Sequence, residues 1–126
     1  MGAFRINLHH SSLPYAPTPT ITEDMMLAAQ ETWGAGIVKI ASAHTNGGDY
    51  VKEAKDLIDA LYDYETTPIL FKPTLAADKQ FRPTYEGALS YFVASNGEAP
   101  EDKGFAIKGW TAVRFENNEM FIKGDI

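Results

Sequence analysis

The chain has 126 residues, 44% of them hydrophobic, a size and composition that fit one domain with a single core. Eleven basic against seventeen acidic residues give a net charge of −6, and no Lys/Arg cluster is dense enough to follow a phosphate backbone, so nucleic acid is excluded as an expected partner. There is no cysteine, which excludes disulfides, thiolate zinc sites and cysteine nucleophiles. No signal-like apolar core and no run of about 18 apolar residues occurs, so a cytoplasmic protein with no membrane partner is expected.

Residues 1–21 carry Pro14, Pro17 and Pro19 and read as an extended lead-in. A first helix should follow. Thr20 and Glu23 have the spacing of a capping box, and Met26, Trp33, Ile37, Ile40 and His44 fall on one helical face. Gly34 and Gly36 weaken that helix, so something must approach its backbone closely or it must bend. Asn46 and Gly47 suit its end.

Asp49 can cap a second helix with an apolar stripe of Val51, Ala54, Ile58, Leu61 and Tyr62. "PILFKP" reads as a short strand between Pro68 and Pro73, with Ile69 and Phe71 on one face and Leu70 and Lys72 on the other. Thr84 can cap a short third helix that buries Tyr85, Ala88, Leu89 and Phe92. After a polar turn, "FAIKGWTAVRFE" alternates like a half-buried strand. Asn117 and Asn118 can turn it into a last strand, "EMFIKGDI". The order ααβαββ predicts an α+β fold over residues 22–126.

At "LFKPT", "FRPTYEGALSYF" and "DKGFAIKGWTAVRFEN" the chain resembles a group of small bacterial proteins in the nuclear-transport-factor-2-like superfamily, over residues 22–126. The resemblance implies a cone in which a curved antiparallel sheet packs with three helices around a pocket. The fold hosts isomerases, dehydratases, hydrolases and binders, so it implies no single activity. Similar proteins are often labelled phosphoribosyl-AMP cyclohydrolase. That label implies cysteine zinc ligands and a D-x-D-x-D magnesium cluster, and this chain has neither. Superfamily members continue for two more long strands, so the sheet is expected to lack its last strands here. Its edge, Met120, Phe121 and Ile122, would then be covered by a second copy, a homodimer through residues 105–123.

Residues 70–85 hold Lys72, Lys79 and Arg82 against Asp78 alone, which makes this the segment expected to attract an anion. Lys72 can meet a carboxylate or phosphate as a point charge and Arg82 can grip one with its fork; the alternative is pairing with Asp78, Glu86 or the acidic helices. Tyr91 and Trp110 are candidate ligand contacts, Trp110 because its parity sets it with Lys108 and Arg114, on a pocket wall or at a subunit interface. His44 can act as a general base from the inner helix face, or simply favour the helix C-terminus. Asp102 can orient a histidine or a water, although a loop aspartate more commonly caps its own turn. His9 and His10 alone make no metal site, and no nucleotide, nucleophile-elbow or metalloprotease motif occurs, so neither metal nor cofactor is expected.

These residues support a small-molecule-binding protein whose pocket takes a partly apolar ligand, an anionic group being one option. The alternatives are a cofactor-independent isomerase, dehydratase or hydrolase with His44 or Asp102 as base, and a structural homodimer without a pocket.

Overall fold

The computed structural model describes residues 21–118. Three helices form its frame: α1 (Glu23–Thr45), α2 (Tyr50–Leu61) and α3 (Tyr85–Val93). Each begins at a side-chain cap that satisfies an otherwise free backbone N–H. Thr22 Oγ1 accepts from Met25 N at 3.2 Å, Asp49 Oδ1 from Lys52 N at 3.1 Å, and Thr84 Oγ1 from Gly87 N at 3.1 Å. The first cap is therefore Thr22; Thr20 lies outside the described residues.

α1 packs against α2, and α2 against α3. The α1 glycines are where the backbone is approached. A Cβ on Gly36 would stand 2.4 Å from Leu57 Cδ1, and one on Gly34 would stand 3.3 Å from Val113 Cβ. Each glycine costs the helix about 1 kcal/mol. Complete burial of Ile37 and Ile40 beside them contributes about 1.5–3 kcal/mol each, so packing wins. The core continues through Ala54, Leu57 and Ile58 of α2 to Phe71, Ala88 and Phe92.

The expected sheet is corrected. Among the described residues there are three α-helices and a 3₁₀ turn, Phe105–Ile107, but no β-strand, so the α+β cone of order ααβαββ is not what these residues form. "PILFKP" does alternate, Ile69 and Phe71 buried and Leu70 and Lys72 exposed. It bonds to the segment before α3 only through Ile69 N to the Pro83 carbonyl (3.3 Å) and Arg82 N to the Phe71 carbonyl (2.7 Å). Pro68, Pro73 and Pro83 supply no N–H to lengthen that pairing into a ladder.

The predicted strand from Phe105 fails for a different reason. Gly104, at φ 80°, turns the chain into the 3₁₀ turn, and Gly109, at φ 75°, redirects it again. Beyond that, Val113 and Phe115 are half-buried and Arg114 and Glu116 exposed, but the inner side chains lie on α1 at Gly34 and Trp33. Alternation marked a half-buried extended segment, and its packing partner is a helix. The final strand and the Met120–Ile122 edge proposed for a homodimer lie outside the described residues.

Candidate functional site

Two polar features stand out from the aromatic interior. The first is a buried ion pair. Arg82 sits just before the Thr84 cap of α3, which throws its side chain along the first turn of that helix. It is 2% exposed and the Asp102 side chain 3%. Arg82 Nη1 and Nη2 donate to Asp102 Oδ2 and Oδ1 at 2.6 and 2.8 Å. Nη1 also donates to the Gly87 carbonyl at 2.9 Å, and Nε to the Lys79 carbonyl at 2.9 Å. Ser90, on the buried face of α3, donates its hydroxyl to Asp102 Oδ2 at 2.5 Å and accepts from Ala99 N at 3.3 Å.

Burial opposes ionisation of Asp102, but the hydrogen bonds from Arg82 and Ser90 and the Arg82 charge outweigh it and hold the carboxyl below its usual range. The Asp102 hydrogen bonds likewise raise the Arg82 pKa. The pair is a closed ionic unit. It supports an aromatic wall: the Arg82 guanidinium carbon lies 5.8 Å from the Tyr91 ring centre, and Tyr64 donates its hydroxyl to the Arg82 carbonyl at 2.9 Å.

The second feature is Tyr62, which ends α2 and is 5% exposed. Among the described residues its hydroxyl finds no acceptor for its proton, and the polar group that approaches it is the Trp33 indole N–H, itself a donor. Burial pushes its pKa well up, and the nearby Trp33 indole opposes that rise only in part. Around it stand rings of Phe71 at 5.3 Å and Tyr64 at 5.9 Å; Phe71 in turn contacts Tyr91 and Phe92. A neutral hydroxyl enclosed by aromatic side chains is a donor without a competing solvent.

The structure brings Arg82, Asp102 and Tyr91 together and leaves the other sequence candidates apart. The Arg82 fork is filled by a protein carboxylate, the structural alternative, though the partner is Asp102 and neither Asp78 nor Glu86. Lys72 is exposed. His44 keeps the angular face of Ile37 and Ile40 but is exposed, because the buried stretch of α1 ends at Ala41, one turn before it, and its ring meets the Tyr50 ring edge-on at 4.8 Å. Among the described residues the partners of Asp102 are Arg82 and Ser90, not a histidine. Trp110 is 39% exposed and ties its indole N–H to the Phe105 carbonyl at 2.7 Å. Ser90 was missed, although a serine among the apolar residues of α3 is a signal for a buried polar partner. Among the described residues no group of three His, Asp or Glu side chains is placed to hold a metal, and no helix is long and apolar enough to cross a membrane.

The fold has a solved counterpart. The crystal structure of the iota-carbonic anhydrase from a cyanobacterium, complexed with bicarbonate, superposes with a TM-score of 0.78 at 40% identity, covering 90% of this chain and 71% of that one. A metal-independent carbonic anhydrase of Nostoc sp. (strain PCC 7120) is 44% identical over 108 residues, 83% of this chain and 53% of the relative. The chain thus spans about half the length of the curated relative it matches. The family model for metal-independent carbonic anhydrase matches residues 24–126, and the chain belongs to that family. This corrects the nuclear-transport-factor-2-like assignment and the cystatin-like cone that came with it: the motifs behind that resemblance, from residue 70 to 117, all lie within the carbonic anhydrase match.

Proposed function

We propose that this protein takes part in the metal-independent interconversion of carbon dioxide and bicarbonate, with Tyr62 as a hydrogen-bond donor to the reacting oxygens. Family membership supports the reaction class, and the bicarbonate held by the cyanobacterial relative supports the ligand. The observation that carries the reading at residue level is the buried Tyr62 hydroxyl.

In hydration, a water oxygen forms a bond to the carbon of CO2, one C=O π pair moves onto oxygen, and a proton leaves the water for a base. Negative charge develops on oxygens that were neutral in CO2. A fixed donor in a water-poor site stabilises that charge more in the transition state than in the ground state. Because burial raises its pKa, Tyr62 stays protonated and able to donate throughout the physiological range. The aromatic rings around it suit apolar CO2 and exclude bulk water. Arg82 and Asp102 serve this site as positioning residues, since they anchor the backbone and rings of the wall that carries Tyr64 and Tyr91.

Stopped-flow CO2 hydration with a pH indicator, in a strong chelator, tests the reading. Acceleration above buffer should persist with the chelator, and Tyr62→Phe should lower it roughly 10- to 100-fold, the loss expected for one hydrogen bond to a developing charge. No acceleration by the unaltered protein would overturn the reaction class; bicarbonate binding without turnover would return the protein to a binding role. An unchanged rate in a folded Tyr62→Phe protein would remove Tyr62 from the site.

A further inference from the structure

Within residues 70–85, backbone amides and not the cationic side chains gather around a carboxylate of the same chain. Three consecutive backbone N–H groups converge on the Glu101 carboxylate: Ala77 N reaches Oε1 at 2.6 Å, and Asp78 N and Lys79 N reach Oε2 at 2.9 and 2.7 Å. These hydrogen bonds, Ala77 first and Lys79 next, pull the Glu101 pKa down against a small opposing effect of burial. Residues 77–79 are exposed, so the loop that carries these donors lies at the surface. Successive N–H groups turned to one side form a concavity that favours anions whatever their source.

We propose that residues 77–79 are an anion nest for planar monoanionic oxyanions of the carboxylate and bicarbonate class, and that Glu101 is its tethered, displaceable occupant. The selectivity follows from geometry and charge. One donor serves one oxygen and two serve the other, so the nest recognises an O–C–O unit, which a halide cannot span. Arg82 nearby is paired with Asp102, though its charge still helps to lower the Glu101 pKa, and Lys79 keeps its charge while its Nζ donates to the Glu98 carbonyl at 2.7 Å. The Asp78 carboxylate on the same loop adds a repulsive charge that weighs twice as heavily on a dianion. Displacement would release the Glu101 side chain from the 77–79 loop, while Lys79 Nζ still holds the Glu98 carbonyl and the buried Arg82–Asp102 pair still holds Asp102. The inference stands apart from catalysis at Tyr62.

The test is amide NMR of Glu101→Ala titrated with sodium formate at constant ionic strength. The Ala77, Asp78 and Lys79 amides should shift saturably, with half-saturation in roughly the millimolar range. Bicarbonate should do the same, and chloride and sulfate should not. In the unaltered protein the same shifts should need at least about tenfold more formate, because the tethered carboxylate competes at high effective concentration. Glu101→Gln, which keeps an acceptor oxygen without the charge, serves if the alanine variant does not fold. Absence of saturation at about 100 mM formate, an equal response to chloride, or equal responses of variant and unaltered protein would each overturn the proposal.

Discussion

Arg82 is the most buried charge in the described part of the chain and meets a carboxylate that is almost as buried, so neither can lose the other cheaply. Removing one partner leaves an uncompensated charge where water cannot reach it, which costs about 3–5 kcal/mol, whereas replacing both by apolar side chains of similar volume is often close to neutral. Arg82→Met and Asp102→Leu should each lower the unfolding free energy by about that amount, and the double variant should recover most of it. Urea denaturation of the four proteins at pH 7 measures the cycle. Additive losses would show that the two side chains act independently. Arg82→Lys should behave nearly as badly as Arg82→Met, because a lysine cannot reach both Asp102 oxygens together with the Lys79 and Gly87 carbonyls.

At the scale of elements, the α1–α2 contact is set by the absence of a side chain. Leu57 of α2 occupies the space a Cβ on Gly36 would need, and Leu57 is only 5% exposed, so it has little room to retreat. Gly36→Ala gains up to about 1 kcal/mol of helix propensity and forces overpacking that typically costs about 1–3 kcal/mol. The net effect should be destabilising by about 1 kcal/mol, read as a lower urea midpoint. Gly36→Ala combined with Leu57→Ala should fare better than the sum of the two changes, since the second makes the space that the first requires. Neither glycine could be assigned its neighbour from spacing alone, although the need for a close neighbour was legible.

For the whole molecule, the shifted groups define a pH window. Asp102 and Glu101 have folded pKa values depressed below their usual 3.8 and 4.5, so their contribution is fully present above those values and is lost as pH falls through the lower folded ones. Tyr62 and Tyr64 have folded pKa values raised, first by burial, above the usual 10.0, so their neutral burial stabilises fully below pH 10 and is lost as pH rises beyond it. Stability should therefore form a plateau between about pH 5 and 10 with a loss on each side. Denaturant midpoints measured across pH should show a gentler acid limb for Asp102→Asn and a gentler alkaline limb for Tyr62→Phe. An acid limb unchanged by Asp102→Asn would assign acid sensitivity to other carboxylates.

The sequence by itself determined the helices, because their signals are local. Asp49 and Thr84 cap amides three residues on, and the apolar stripes repeat within one element. It also marked residues 70–85 as cationic and singled out Arg82, Tyr91 and Asp102 as candidates, each separately. Only the tertiary structure decided what those residues meet. Arg82 and Asp102 are twenty positions apart, and nothing in either neighbourhood states that one loop folds back on the other. The same distance hid Glu101, whose partners are backbone amides that every sequence possesses. Alternation over residues 105–116 was real in its second half. Whether an alternating segment joins a sheet depends on which backbone lies beside it, and among the described residues the neighbour is the side of α1, which has no free N–H or C=O to offer a strand.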